Sequence, residues 1–202
     1  MSNDLVVYGL KGSPFVRKVL IALAEKGLAY DFETVSPFPA PDWYTEISPL
    51  NRIPAFRDRS VGAEGKAGTL ADSSAILAYL DRKFDAAPLI PADAFEAGRA
   101  LWFEEYADSM MAATIGLGMF RPIIFNRMQG KDPDIATARE TMETKCPAFF
   151  DYLEGELEGE FLVGSAFSIA DVSVVCQLIN FRFAGGVIDA ARWPKLAAYF
   201  EA

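Results

Sequence analysis

The chain of 202 residues contains no histidine. That removes the side chain that most often acts as a general base near neutral pH and most often ligates metals. A Ser-His-Asp or Cys-His mechanism is therefore excluded. Cysteine is almost absent: Cys146 and Cys176 are the only two, and they form no CxxC pair and no metal-ligand spacing. They read as small buried hydrophobes in a reducing compartment. No apolar run reaches the roughly 20 residues that a membrane-spanning helix needs. Met1-Ser2-Asn3-Asp4 has neither the basic nor the apolar part of a secretory leader, so a soluble, cytoplasmic protein is expected. A basic excess is missing too. The net charge is −9, and it is uneven: residues 1–80 hold 8 basic and 9 acidic side chains, the remainder 11 and 19. Such a balance argues against a broad nucleic-acid-binding face. The alternating acids Glu154, Glu156, Glu158 and Glu160 read as a solvated surface. If this chain is an enzyme, its reactive group arrives with a cofactor or a substrate, and no metal site is expected.

What is present suffices for a core, since 51% of the residues are hydrophobic. The length allows one or two domains. Leu5-Val6-Val7-Tyr8 is an apolar, β-prone run ending at Gly9. Ser13-Pro14 reads as a helix cap followed by proline at the first helical position. Val16, Val19, Leu20 and Leu23 then recur at helical spacing up to Lys26-Gly27. Tyr30 to Val35 reads as a second strand, joined to the first by a right-handed parallel crossover. A proline-rich loop spans Ser36 to Pro41, and a short helix lies around Trp43 to Ile47. Ile53 to Phe56 and Thr69 to Ala71 read as two strands around the polar loop Asp58 to Gly68. Asp72-Ser73 caps a helix carrying Ile76, Leu77 and Leu80.

Beyond this point the pattern is helical. The expected organisation is a domain over 1–82, a linker over 83–91 and an all-helical domain over 92–202. Phe95 to about Gly118 reads as one long helix. Pro122 and Gly130 are expected to break the stretch from Phe120 to Lys131. Pro133 to Leu157 is helical with a kink or break at Pro147, Ser168 caps a helix to about Phe183, and a short helix covers Trp193 to Tyr199. Strand–helix–strand, hairpin, helix and then five or so helices describe a small mixed sheet joined to a helical bundle.

Three features of the first domain bear on chemistry. Ser13 stands at the mouth of the first helix. Pro54 opens a strand, where its missing N–H does no harm. Asp72-Ser73 stands at the start of another helix, where free N–H groups and the helix dipole attract a carboxylate. Each alone reads equally as a cap or a strand start.

Together, in this order, they resemble the cytosolic glutathione S-transferase superfamily, in particular its serine-type, bacterial-like members. The residues that carry the resemblance are Val7-Tyr8-Gly9 with Ser13-Pro14-Phe15-Val16-Arg17-Lys18-Val19, then Glu25 to Tyr30. Ser48-Pro49-Leu50-Asn51-Arg52-Ile53-Pro54-Ala55-Phe56 and Leu70 to Leu80 continue it, and Phe167 to Ser173 extends it into the helical part. The resemblance implies a thioredoxin-like α/β domain followed by an all-α bundle, the GST fold. It implies a cis bond before Pro54, with Ile53 pairing with the cysteinyl backbone of glutathione. It also implies that Asp72 and Ser73 hold the γ-glutamyl end, that Arg52 faces the glycyl carboxylate, and that Ser13 stabilises the thiolate. Tyr8 is a rival hydroxyl, because some classes use a tyrosine at the end of the first strand. Ser168-x-x-Asp171 matches a capping box that in the family serves folding.

Chemically, glutathione supplies the nucleophile, so histidine is not needed. A free thiol ionises near pH 8.5, and lowering that by about two units takes roughly 2.7 kcal/mol. A hydroxyl donor together with a helix N-terminus supplies stabilisation of this order. Relatives with Cys-Pro-Phe at this place perform thiol–disulfide exchange, which Ser13 cannot do. A small apolar electrophile is expected to bind between the domains, near Trp102, Phe103, Tyr106, Met110, Met111 and Phe120, of which Tyr106 and Met110 are singled out, with Tyr8 of the first domain. The implied activity is conjugation of glutathione to such electrophiles. A non-catalytic binding protein on the same fold and a glutathione-dependent peroxidase are the alternatives. The resemblance also implies a homodimer.

Overall fold

The computed structural model describes residues 3–202; Met1 and Ser2, half of the Met1-Ser2-Asn3-Asp4 start on which the absence of a secretory leader was expected, lie outside the described residues. The contacts divide the chain into two units, one ending at Ile90 and the other beginning at Pro91.

The first unit is built on a four-stranded sheet of order β2-β1-β3-β4. β1 (Leu5–Gly9) runs parallel to β2 (Tyr30–Thr34), with Leu5 opposite Tyr30. β3 (Ala55–Asp58) is antiparallel to β1, with Tyr8 opposite Ala55, and β4 (Thr69–Leu70) is antiparallel to β3. Strand residues alternate between two faces. On one face Val6, Tyr8 and Ala55 form a cluster with Val35 and with Tyr44 and Ile47 of α2 (Asp42–Ile47). α1 (Pro14–Glu25) and α3 (Ser73–Lys83) pack together and bury Val16, Val19, Leu23, Ile76, Leu77 and Leu80. β3 starts one residue beyond Pro54, later than its sequence suggests, because proline has no N–H for the ladder.

Two of the buried charged side chains hold loops of this unit in place. Arg57 spans the loop after β3, its guanidinium donating to the carbonyls of Gly62, Gly65 and Ala67. Lys26, at the end of α1, donates to Asp81 Oδ1 at 2.9 Å and to the carbonyls of Phe84, Ala86 and Ala87. Three N–H bonds serving four acceptors means that one is shared. Asp81 also accepts from the N–H groups of Leu89 and Ile90, so the segment after α3 is tied down by its backbone.

The second unit is helical. α4 (Ala94–Tyr106) continues without interruption through a π-wound turn (Ala107–Met111), α5 (Ala112–Ile115), a second π-wound stretch (Gly116–Phe125) and α6 (Asn126–Met128). The expected break at Pro122 does not occur: proline sits inside the second π-wound stretch, where the hydrogen-bond ladder is already shifted from its α register. The carbonyl of Pro122 accepts from the N–H of Asp134, and Gly130, at a φ of 70°, follows the helix end. α7 (Ile135–Thr144) and α8 (Cys146–Glu156) are separate helices, with Pro147 in the first turn of α8. α9 (Ile169–Phe183) packs against α4 and is buried over most of its length, and α10 (Pro194–Glu201) packs on α8. Phe150 anchors this core, edge-on to Phe149, Phe181 and Trp193 at 4.6–5.2 Å. Cys146 and Cys176 are buried free thiols, and burial pushes the Cys146 thiol up to about 12. Among the described residues, no helix is long and apolar enough to cross a membrane.

Candidate functional site

Sheet register brings the three features of the first unit to one edge. Gly9 ends β1, and Tyr8 pairs with Ala55, so Gly9 stands beside Pro54 at the start of β3. Phe56 pairs with Leu70, and the same register carried on by two residues sets Asp72 beside Pro54 from the other side. Gly9 makes the crowding possible. A Cβ at this position would meet Val16 Cγ2 at 2.6 Å and Ile53 Cβ at 3.4 Å, and the φ of 156° lies in the region that favours glycine. Val16 belongs to the first turn of α1, so Gly9 lies between Ile53 and the helix that Ser13 opens.

Ser13 is the N-cap of α1, with extended backbone at φ −73°, ψ 130°. Its Oγ accepts from the N–H of Val16 at 3.5 Å, the outer limit for such a bond. The hydroxyl is half-buried, and its own proton is free to donate to a ligand. The Ile53–Pro54 peptide is cis. Ile53 lies just outside the ladder, and its backbone N–H and C=O have no backbone partner among the described residues. The residues before it are firmly held. The carbonyl of Arg52 accepts from Tyr44 Oη at 2.8 Å and from Ser48 Oγ at 2.9 Å, and the Arg52 N–H donates back to Ser48 Oγ at 3.2 Å. The Arg52 side chain is exposed.

Asp72 is the N-cap of α3; its carboxylate accepts from the N–H of Ala75 at 3.0 Å and is otherwise open to solvent. Ser73, in the first turn, is buried. Tyr8 is placed differently. It is 6% exposed, stands edge-on to Trp43 at 5.6 Å, and its hydroxyl accepts from Arg57 Nε at 3.4 Å. Its hydroxyl is thus engaged with Arg57, in the layer shared with α2.

In the helical unit Tyr106 is half-buried, with Tyr152 at 5.0 Å and Trp102 at 6.5 Å. Burial, and then the neighbouring Tyr152, raise its phenol above the usual range, so it remains a neutral donor. Met110 is exposed. Ser168-x-x-Asp171 forms a complete capping box that sits in the core.

Tyr44, Ser48 and Arg57 were not singled out in the sequence. Nothing local marks a tyrosine on a short apolar face or an arginine in a strand as a hydrogen-bonding hub.

Comparison with known proteins agrees with this fold. Residues 7–88 match the glutathione S-transferase N-terminal domain family, and residues 136–202 match the glutathione S-transferase C-terminal domain family. The chain is 30% identical over 188 residues to the uncharacterized GST-like protein YibF of Escherichia coli K12, spanning 91% of this chain and 87% of that one. It is 28% identical to a glutathione S-transferase of Triticum aestivum over 98% of this chain and 87% of that one. The crystal structure of a glutathione S-transferase from Rhodospirillum rubrum superposes with a TM-score of 0.84 at 22% identity, over 97% of this chain and 86% of that one, a likeness of fold. The mixed four-stranded sheet followed by a helical domain is accordingly the GST fold, and the chain belongs to the glutathione S-transferase family.

Proposed function

We propose that this chain is a glutathione transferase that activates the thiol of glutathione with Ser13 and joins it to small apolar electrophiles. The observation that carries the reading is the slack cap: a half-buried Ser13 hydroxyl 3.5 Å from the N–H it caps, at the N-terminal end of a helix of 12 residues. A thiolate placed there takes the O–H proton of Ser13 as a charge-assisted bond and meets the positive end of the helix dipole. In this reading Ile53 pairs with the cysteinyl backbone, and Asp72 and Ser73 receive the γ-glutamyl end. The carboxylate of Asp72 takes the ammonium group, and the first-turn N–H groups of α3 take the carboxylate. Arg52 faces the glycyl carboxylate. Tyr106 and Met110 contribute apolar, adaptable surface for the electrophile. Glutathione is the co-substrate and no metal takes part. The protein acts in the cytoplasm as a homodimer, and a single-chain mass in light scattering would contradict the dimer.

Serine at position 13 disfavours reduction through a protein–glutathione mixed disulfide, because it supplies no sulfur. Tyr8 is the weaker candidate for thiol activation, since it is 6% exposed, packs edge-on to Trp43 in the layer shared with α2, and opens no helix.

The test is a calorimetric titration of glutathione against the wild type and Ser13→Ala, with the ultraviolet thiolate absorbance of each complex. Binding by both, with the neutral-pH thiolate signal lost only in the variant, is expected. Equal thiolate signals would pass the role to Tyr8 or to the helix terminus. No binding by the wild type at millimolar glutathione would leave an interaction protein on this fold.

A further inference from the structure

The peptide unit between Arg52 and Ile53 is planar, and its C=O and N–H point in opposite directions. Whatever fixes the Arg52 carbonyl therefore also aims the Ile53 N–H. Two hydroxyls converge on that carbonyl, Tyr44 Oη at 2.8 Å and Ser48 Oγ at 2.9 Å, and they fill both of its lone pairs. The clamp is itself rigid. Tyr44 is fully buried in the cluster of Val6, Tyr8, Val35, Ile47 and Ala55. Ser48 is buried, and its N–H donates to the carbonyl of Tyr44 at 2.8 Å. The turn closes with the N–H of Asn51 on the carbonyl of Ser48 at 2.8 Å and with Asn51 at a φ of 49°. Burial pushes the Tyr44 phenol up to about 12, so the hydroxyl keeps its proton throughout the working range.

We propose that Tyr44 and Ser48 are positioning residues that act through the Arg52–Ile53 peptide, presenting the Ile53 N–H in a fixed direction to the peptide backbone of the ligand. This rests on the reading of the site as a glutathione site. Neither side chain touches the ligand. Two donors on the carbonyl also polarise the peptide and strengthen the N–H opposite as a donor.

The experiment compares wild type, Tyr44→Phe, Ser48→Ala and the double variant, all as the full chain. Tyr44→Phe keeps the buried ring and removes only the hydroxyl. Glutathione Kd is measured by calorimetry, and the 15N order parameter of the Ile53 amide is measured in the ligand-free protein. Val6 and Val7 of β1 serve as references. Each single variant is expected to raise Kd by about threefold to tenfold, the worth of one preorganising hydrogen bond. At saturation the thiolate signal stays at the wild-type level, because Ser13 is untouched. The Ile53 order parameter falls while those of Val6 and Val7 hold. Wild-type binding with unchanged Kd in the double variant would overturn the proposal. So would a loosening of Val6 and Val7 together with Ile53, which is what a merely structural role predicts. Absence of binding by the wild type itself would instead bring down the glutathione reading, and the positioning role with it.

Discussion

Ser13 and Ser168 begin helices in the two units with the same local device, a serine hydroxyl accepting from the first turn, yet they are placed in opposite circumstances. Ser168 is 2% exposed, its Oγ accepts from the N–H of Ala170 at 3.2 Å, and both its N–H and its hydroxyl donate to Asp171 Oδ2. Asp171 Oδ1 accepts in turn from the N–H of Leu162 and from Tyr199 Oη, both at 2.9 Å. Every hydroxyl valence of Ser168 is used inside the protein. Ser13 is half-buried, makes one long bond and keeps its proton available. A cap whose bonds are all taken is scaffold, whereas a cap with a bond to spare can be a site.

Four measurements would break or sharpen that contrast. The largest effect is expected at Asp171→Ala, which orphans four donors, three of them buried. A loss of about 3–5 kcal/mol should appear in urea unfolding of the helical unit. Glutathione affinity per folded molecule should not change. Next comes acid. Desolvation raises Asp58, but bonds from Lys83, Ser60 and Tyr79 outweigh it and hold the carboxyl at about 2. A depressed carboxyl stabilises the fold above its unfolded value and loses that contribution as pH falls through the folded one. The first unit should thus lose about 2 kcal/mol between pH 5 and pH 2. Asp58→Asn should flatten this slope in a pH series of denaturation midpoints.

Ser168→Ala should cost about 1–2 kcal/mol in melting experiments, at the upper end for a cap because the Asp171 network loses a donor. Ser13→Ala should cost about 0.5 kcal/mol, at the lower end, since a 3.5 Å bond in a half-exposed site holds little. Equal costs at the two serines would mean that the long Ser13 bond is tighter in solution, and the argument for a spare donor would fail.

The legible parts of this molecule are those written in adjacent residues. Ser13-Pro14, Asp72-Ser73 and Ser168-x-x-Asp171 announced three helix starts because caps act over three or four positions. Val16 and Ile76 showed their faces by period, and Val7 belonged to a plain apolar run. The course of the chain through Pro122 was not legible, because proline is normally a helix breaker and only the π-wound ladder around it shows why it is tolerated. Gly118 adds a second cause: a Cβ there would meet Thr141 Oγ1 at 2.5 Å, a close approach between segments distant in sequence. The Tyr44, Ser48 and Arg57 contacts were hidden for the same reason. Each joins a side chain to a backbone group whose position is known only once the loop is closed. Arg57 serving three loop carbonyls has no sequence signature at all.

The burial of the two cysteines has a practical consequence. With the Cys146 thiol pushed up to about 12 and Cys176 enclosed, the chain presents no ready thiolate at neutral pH. A thiolate band that appears when glutathione is added therefore belongs to the sulfur of the ligand.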